Sequence, residues 1–372
     1  MRWLMSLETL LVAFTLMNVA SSVCLATGKR VAIVGSGNWG SAVARTVATN
    51  VKGMADYEDG VKMWTFEETI EGRNLTEIIN EEHENVKYLP GVALPETVVA
   101  CADLVEGCKD ADVLIFVVPH QFLPRVLESL KGKVKSGAVG ISLIKGLEVG
   151  PEGPKLLSEM IETALALPPV AVLMGANVAA DVVQDDFVEA TMACRDEDIS
   201  RRLSPLFDCP SFRIQTVTDV TSVELCGAVK NVIAMGGGFC DGLDLGPSSK
   251  AAILRKGMVE MARLCQKYNS EFSFELMMES CGVADVIATS FGGRNRRCSE
   301  EFVRRTVAGR QDASWDKVEQ DLLNGQKLQG LGTLDELVTC IDAMGCAEEF
   351  PLFYRIHGIS RRGQDVRSIV QW

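Results

Sequence analysis

The chain has 372 residues, 47% hydrophobic and 23% charged, which excludes wholesale disorder and a coiled-coil rod and leaves enough apolar material for two packed cores. Against 37 Lys and Arg stand 50 Asp and Glu, a formal charge of −13. Nucleic-acid affinity comes largely from neutralising phosphates, so a nucleic-acid partner is not expected and any anion site must be a local pocket.

The first 28 residues stand apart. Arg2 precedes an uncharged run from Thr9 to Thr27 that ends in small residues, as in a signal peptide, although Glu8 stands between the two. The rival reading is a segment upstream of the true start, with Met5 or Met17 near the beginning. Thr15, Asn18 and Ser21–Ser22 make the run short for a membrane span, so no stable span is expected in the mature fold. Asn74-Leu75-Thr76 is a lone glycosylation sequon.

From Lys29 the pattern changes. Arg30–Val34 is a short β-branched run, Gly35-Ser36-Gly37-Asn38-Trp39-Gly40 follows at once, and Ser41–Ala48 has helical spacing. Strand, G-x-G-x-x-G and helix together make a dinucleotide fingerprint. Gly35 permits the tight turn, Gly37 lets backbone approach a pyrophosphate, and Gly40 lets the helix close on the strand. A second strand, Val61–Phe66, ends at Glu67-Glu68, which offer a ribose-binding acid or charge for a helix N-terminus. No Arg follows directly to take a 2′-phosphate, so NAD is expected over NADP.

Asp112 opens a continuous apolar run, Val113–Val118, closed by Pro119 and typical of a strand buried on both faces. His120-Gln121-Phe122 then lies at the sheet's carboxyl edge, where His120 reads as a general acid or as a capping or surface residue. Val139–Ile144 ends at Lys145-Gly146, and Val170–Met174 ends at Gly175-Ala176-Asn177. Strands alternating with helices from residue 29 to 217 predict a doubly wound, Rossmann-like domain. Residues 218–372 read as an all-α second domain, with Pro247–Tyr268 carrying the 3.6-residue apolar period.

The polar residues of the helical half are the candidates for chemistry. Lys230 sits in an apolar, glycine-rich helix; periodicity favours a side chain snorkelling to the surface, while burial would lower its pKa. Asp285 and Thr289 share a helix face. Gly292-Gly293-Arg294-Asn295 suits a phosphate, or is an ordinary basic loop, and Asn324–Gly330 suits a segment closing over a cofactor. Twelve cysteines, most inside apolar runs and none in a CxxC pair, fit a reduced compartment; with only three histidines, no metal site is expected.

The ordered set GSGNWG, MWTFEE, VVPHQF, IKGLE, LMGANVA, ELCGAVKNVIAMGGGFCDGL, ESCGVADVIAT, GGRNRR and NGQKLQG resembles the NAD-dependent glycerol-3-phosphate dehydrogenases of the eukaryotic cytosolic type, from Lys29 to about Phe353. The resemblance implies reversible hydride transfer between NADH and dihydroxyacetone phosphate, supplying a glycerolipid precursor and reoxidising NADH. Lys230 would be the proton donor, with Asp285 orienting it. Lys145 would bind substrate and polarise the carbonyl. Asn177 and Thr289 would line the site, and Arg294 and Asn295 would hold the phosphate. Gly35, Ser36, Gly37, Asn38, Trp39, Gly40, Phe66, Phe122, Ala179, Arg294, Lys327 and Gln329 would contact the cofactor. A homodimer in the cytoplasm is implied, with an organelle or the secretory route as the alternative the leader offers. A hydroxy-acid dehydrogenase and a catalytically silent NAD sensor are rivals; the GGRN segment speaks against the first, and the presence of Lys145 and Lys230 against the second.

Overall fold

The computed structural model describes residues 28–150, 153–323 and 328–372, so the leader up to Thr27 and Asn324–Lys327 of the expected cofactor-closing segment lie outside the described residues. Eight strands form one sheet: β1 (Lys29–Val34), β2 (Tyr57–Trp64), β3 (Val98–Cys101), β4 (Val113–Phe116), β5 (Val139–Ser142), β6 (Ala171–Met174), β7 (Val188–Ala193) and β8 (Phe212–Val217). Their spatial order is β8-β7-β6-β5-β4-β1-β2-β3. All neighbours run parallel except β6 and β7. The strands of the middle are apolar on both faces because helices cover both: every residue of β4, β5 and β6 is buried. One apolar cluster lies on each face, the first around Ile33, Val43 and Ile115, the second around Val34, Phe116 and Ile161.

Chain order reverses between β1 and β4, which opens a crevice beyond their carboxyl ends. Helix α1 (Asn38–Val51) starts there.

The sheet's last strand ends at Val217, and helix follows almost without interruption. The central helix α2 (Val220–Gly242) begins under an Asp219 cap that accepts from Ser222 N at 2.9 Å. By length and composition α2 could cross a membrane, yet its apolar window is wholly buried inside the protein. Around it pack α3 (Pro247–Tyr268), α4 (Asp285–Gly292), α5 (Arg294–Val307), α6 (Gln329–Met344) and α7 (Pro351–Arg362). Gly238 is what allows α5 so close: a Cβ there would stand 2.3 Å from the Arg296 carbonyl oxygen. The helical core reaches back to Met174 and Ala193 of the sheet, so α2 joins the two halves through packed side chains.

Candidate active site

At the β1–α1 turn, Gly35 has φ +122°, and an added Cβ would stand 2.8 Å from Val117 O at the end of β4. A Cβ at Gly40 would stand 2.2 Å from Gly35 O, so the helix starts hard against the turn. Above Gly37 there is open space, and α1 has no side-chain cap; its first intrahelical bond runs from Ser41 N to Gly37 O at 2.9 Å. Earlier N–H groups and the positive end of the helix therefore face the crevice, which fits a pyrophosphate. Phe66 and Phe122, 68% and 59% exposed, flank the crevice from the ends of β2 and the turn after β4. Ala179 and the half-buried Gln329 each open a helix.

Both carboxylates after β2 are engaged by protein donors, and Glu67 Oε1 accepts from Thr76 N at 3.2 Å in the first turn of the helix Leu75–Glu82, the helix N-terminal role that the sequence also offers. Glu67 accepts from Thr76 Oγ1 at 2.5 Å, and Glu68 accepts from Tyr88 OH at 2.6 Å and pairs with Lys87. The helix expected to begin at them starts only at Leu75, after a short hairpin of Thr69–Ile70 with Arg73–Asn74.

The second group of residues gathers where α2 meets α4. Lys230 is 6% exposed; snorkelling is ruled out because α2 is enclosed on all sides. Its Nζ donates to Asp285 Oδ1 at 2.5 Å and to Thr289 Oγ1 at 2.6 Å, and Thr289 Oγ1 donates onward to Asp285 Oδ1 at 3.2 Å. An ammonium has three protons, so one remains for a reacting oxygen. Lys145, from the loop after β5, donates to Asp285 Oδ2 at 3.2 Å and to Gly175 O at 3.4 Å. One carboxylate thus holds two amines from different halves of the molecule. Burial pushes the Lys230 pKa down to about 7; Asp285 opposes that shift and Lys145 adds to it.

A π-turn, Ser280–Ala284, delivers Asp285 into the site. Ser280 Oγ accepts from Ala176 N at 3.1 Å and donates to Glu189 O at 2.8 Å, fastening this turn to the loop after β6. That loop carries Asn177, 6% exposed, whose Nδ2 has no partner among the described residues. Arg294 and Asn295 form the first turn of α5 behind a Gly293 that supplies no side-chain cap. Asn295 is buried: its Oδ1 accepts from Gly330 N at 2.9 Å, and its Nδ2 donates to Asn231 Oδ1 at 2.9 Å, leaving one amide proton unassigned. Asn231, in the polar segment of α2 that the sequence marks beside Lys230, was given no role there and joins the candidate site through Asn295. It is 4% exposed with no partner for Nδ2 among the described residues, and the signal was a second polar residue beside Lys230 in an apolar helix. His120 is 2% exposed, so it is no surface residue.

Family models for the N-terminus and C-terminus of NAD-dependent glycerol-3-phosphate dehydrogenase match residues 30–200 and 219–371. This chain belongs to that family. The leader lies outside both matches. A rat relative, glycerol-3-phosphate dehydrogenase [NAD(+)], cytoplasmic, is 48% identical over 92% of this chain and 97% of its own length. Among solved structures, glycerol-3-phosphate dehydrogenase of Plasmodium falciparum aligns with TM-score 0.86 at 41% identity, over 93% of this chain and 95% of that one. DsGPDH of Dunaliella salina aligns with TM-score 0.89 at 41% identity over 93% of this chain, which spans 60% of that longer protein. The chain is an NAD-dependent oxidoreductase with the Rossmann-like and helical halves of its family.

Proposed function

We infer that this dehydrogenase interconverts dihydroxyacetone phosphate and sn-glycerol 3-phosphate, and that Lys230 moves the proton at the substrate's C2 oxygen. The observation that carries this reading is the buried Lys230 amine, held by Asp285 and Thr289 with one proton left over, beside a second amine on the same carboxylate. Reduction of a ketone builds negative charge on oxygen, and an ammonium with a pKa near 7 can release its proton there. When bound, the nicotinamide supplies or accepts the hydride.

Lys145 stands as the group that polarises the carbonyl, and Asp285 orients both amines. Fixed cations in a water-poor pocket stabilise a developing alkoxide without reorganising. For the phosphate, the start of α5 offers the positive end of a helix, with Arg294 and the remaining Asn295 proton beside it. Binding energy from that non-reacting group positions the carbonyl. The unpartnered amide of Asn177 supports its place in the site. The crevice residues Gly35–Gly40, Phe66, Phe122 and Ala179 would hold the dinucleotide. Lys327 and Gln329 would complete that set.

A homodimer is supported by Ile287 and Phe291, one turn apart on α4 and exposed. A cytoplasmic setting is supported by the eleven free cysteines among the described residues and by the name of the rat relative. The test is oxidation of NADH by the full chain with dihydroxyacetone phosphate. Turnover that falls away with NADPH and with unphosphorylated dihydroxyacetone is expected; equal rates with and without the phosphate would overturn the reading.

A further inference from the structure

His120, at the sheet's carboxyl edge and 2% exposed, has no part in the proposed reaction. Its Nε2 lies 3.0 Å from Glu336 Oε1 on α6, 216 positions later in the chain. A carboxylate only accepts, so Nε2 carries the proton. The other side of the ring presses on Gly146, the residue after Lys145: a Cβ on Gly146 would stand 2.5 Å from His120 Nδ1. The ring therefore bears on the loop that carries Lys145.

The partner leads to the other lysine. Glu336 sits on α6, and the first turn of α6 is tied by Gly330 N to Asn295, which is tied by its Nδ2 to Asn231, the neighbour of Lys230. Each step is a hydrogen bond between well-buried groups at 2.9 Å. The hairpin after Lys145 (Glu148–Gly150 with Gly153–Lys155) also packs on α6.

We propose that His120 and Glu336 are a positioning pair that sets Lys145 relative to Lys230. Asp285 joins the two amines at their tips; His120 lies against the loop that carries Lys145, and Glu336 shares α6 with Gly330, which Asn295 and Asn231 tie to the helix that carries Lys230. A misplacement of about 1 Å can slow a reaction by up to roughly two orders of magnitude, so loss of the pair should appear in turnover. The proposal rests on the dehydrogenase reading, and on Lys145 as a carbonyl-polarising group.

The experiment is a set of variants of the full chain assayed with dihydroxyacetone phosphate: His120→Ala, Glu336→Ala, the double variant, His120→Gln and Lys145→Ala with and without His120→Ala. Each single alanine variant should lower kcat roughly tenfold, with NADH affinity by fluorescence within about twofold and the thermal midpoint within a few degrees. The double variant should be no slower than the slower single, as for one shared interaction. His120→Gln, whose amide N–H can reach Glu336, should regain most of the rate, and His120→Ala should add little once Lys145 is alanine. Additive losses, unchanged kcat in folded variants, or a parallel loss of NADH affinity would overturn the proposal. If Lys145→Ala alone leaves turnover unchanged, the reading of Lys145 fails; if Lys145→Ala is slow and His120→Ala is not, the pair alone fails.

Discussion

Replacing Asp285 by Asn removes one negative charge 2.5 Å from Lys230 Nζ while keeping a side chain of the same shape. The native amine, with a pKa of about 7, is roughly half protonated at neutral pH. A single opposite charge at contact is worth about 1 to 3 pKa units. A shift of about two units downward leaves roughly 1% of Lys230 protonated at pH 7, so kcat/KM for reduction should fall by about fiftyfold. The variant should recover toward native as the pH is lowered to about 5, because the same lysine is then refilled with protons. Removing Lys145 takes away a like charge and should move the limb the other way, to higher pH, whatever it does to the rate itself. Oxidation of glycerol 3-phosphate needs the neutral amine, so its kcat/KM should rise through the pH range where reduction falls. The assay is kcat/KM against pH in both directions, with circular dichroism to show each variant folded; the substrate's own phosphate titration is common to all. A uniform loss at every pH, with the limb unmoved in Asp285→Asn, would refute the electrostatic account of Lys230.

Lys230→Ala should slow turnover by roughly two to four orders of magnitude, the usual worth of a general acid, while NADH titrated by fluorescence binds as before. Arg294→Ala should act mainly on KM, and inorganic phosphate should lose its power to compete with substrate in that variant. Gly40→Val should abolish NADH binding, since its Cβ has only 2.2 Å of room against Gly35 O. Glu224, buried on α2 and accepting from Ser158 Oγ at 2.6 Å, is pushed up from 4.5 to about 7 by burial. A carboxyl raised on folding contributes stability that is complete below its unfolded value and is lost as the pH rises to its folded one. The thermal midpoint of the native chain relative to Glu224→Gln should therefore decline between about pH 4.5 and 7 and be flat above; a difference that rises over that range would contradict the burial argument.

The glycine fingerprint was legible because it answers to backbone geometry, which a local sequence states directly: Gly35 and Gly40 admit no other side chain. Strands β4, β5 and β6 were legible for a similar reason, since burial on both faces leaves an uninterrupted apolar run. Lys230 was ambiguous because amphipathicity needs a wet face, and α2 has none; with water absent on every side, the period of 3.6 carries no information about direction. In such a helix a polar residue is itself the signal, and Glu224, Lys230 and Asn231 are all buried and bonded. The partners of Glu67 and Glu68, which are Thr76, Lys87 and Tyr88, come later in the chain and could not be paired with them by spacing. The same holds for His120 and Glu336, whose contact exists only once both halves have docked.

The enclosure of α2 has a consequence for how the enzyme spends its time. Lys230 is stripped of water by the packing of its own helix, not by the arrival of substrate. The unfavourable free energy of placing an amine there is incurred once, during biosynthesis, when the chain folds. Each catalytic cycle then begins with a lysine already tuned near neutrality, and no step of the cycle has to dry it again.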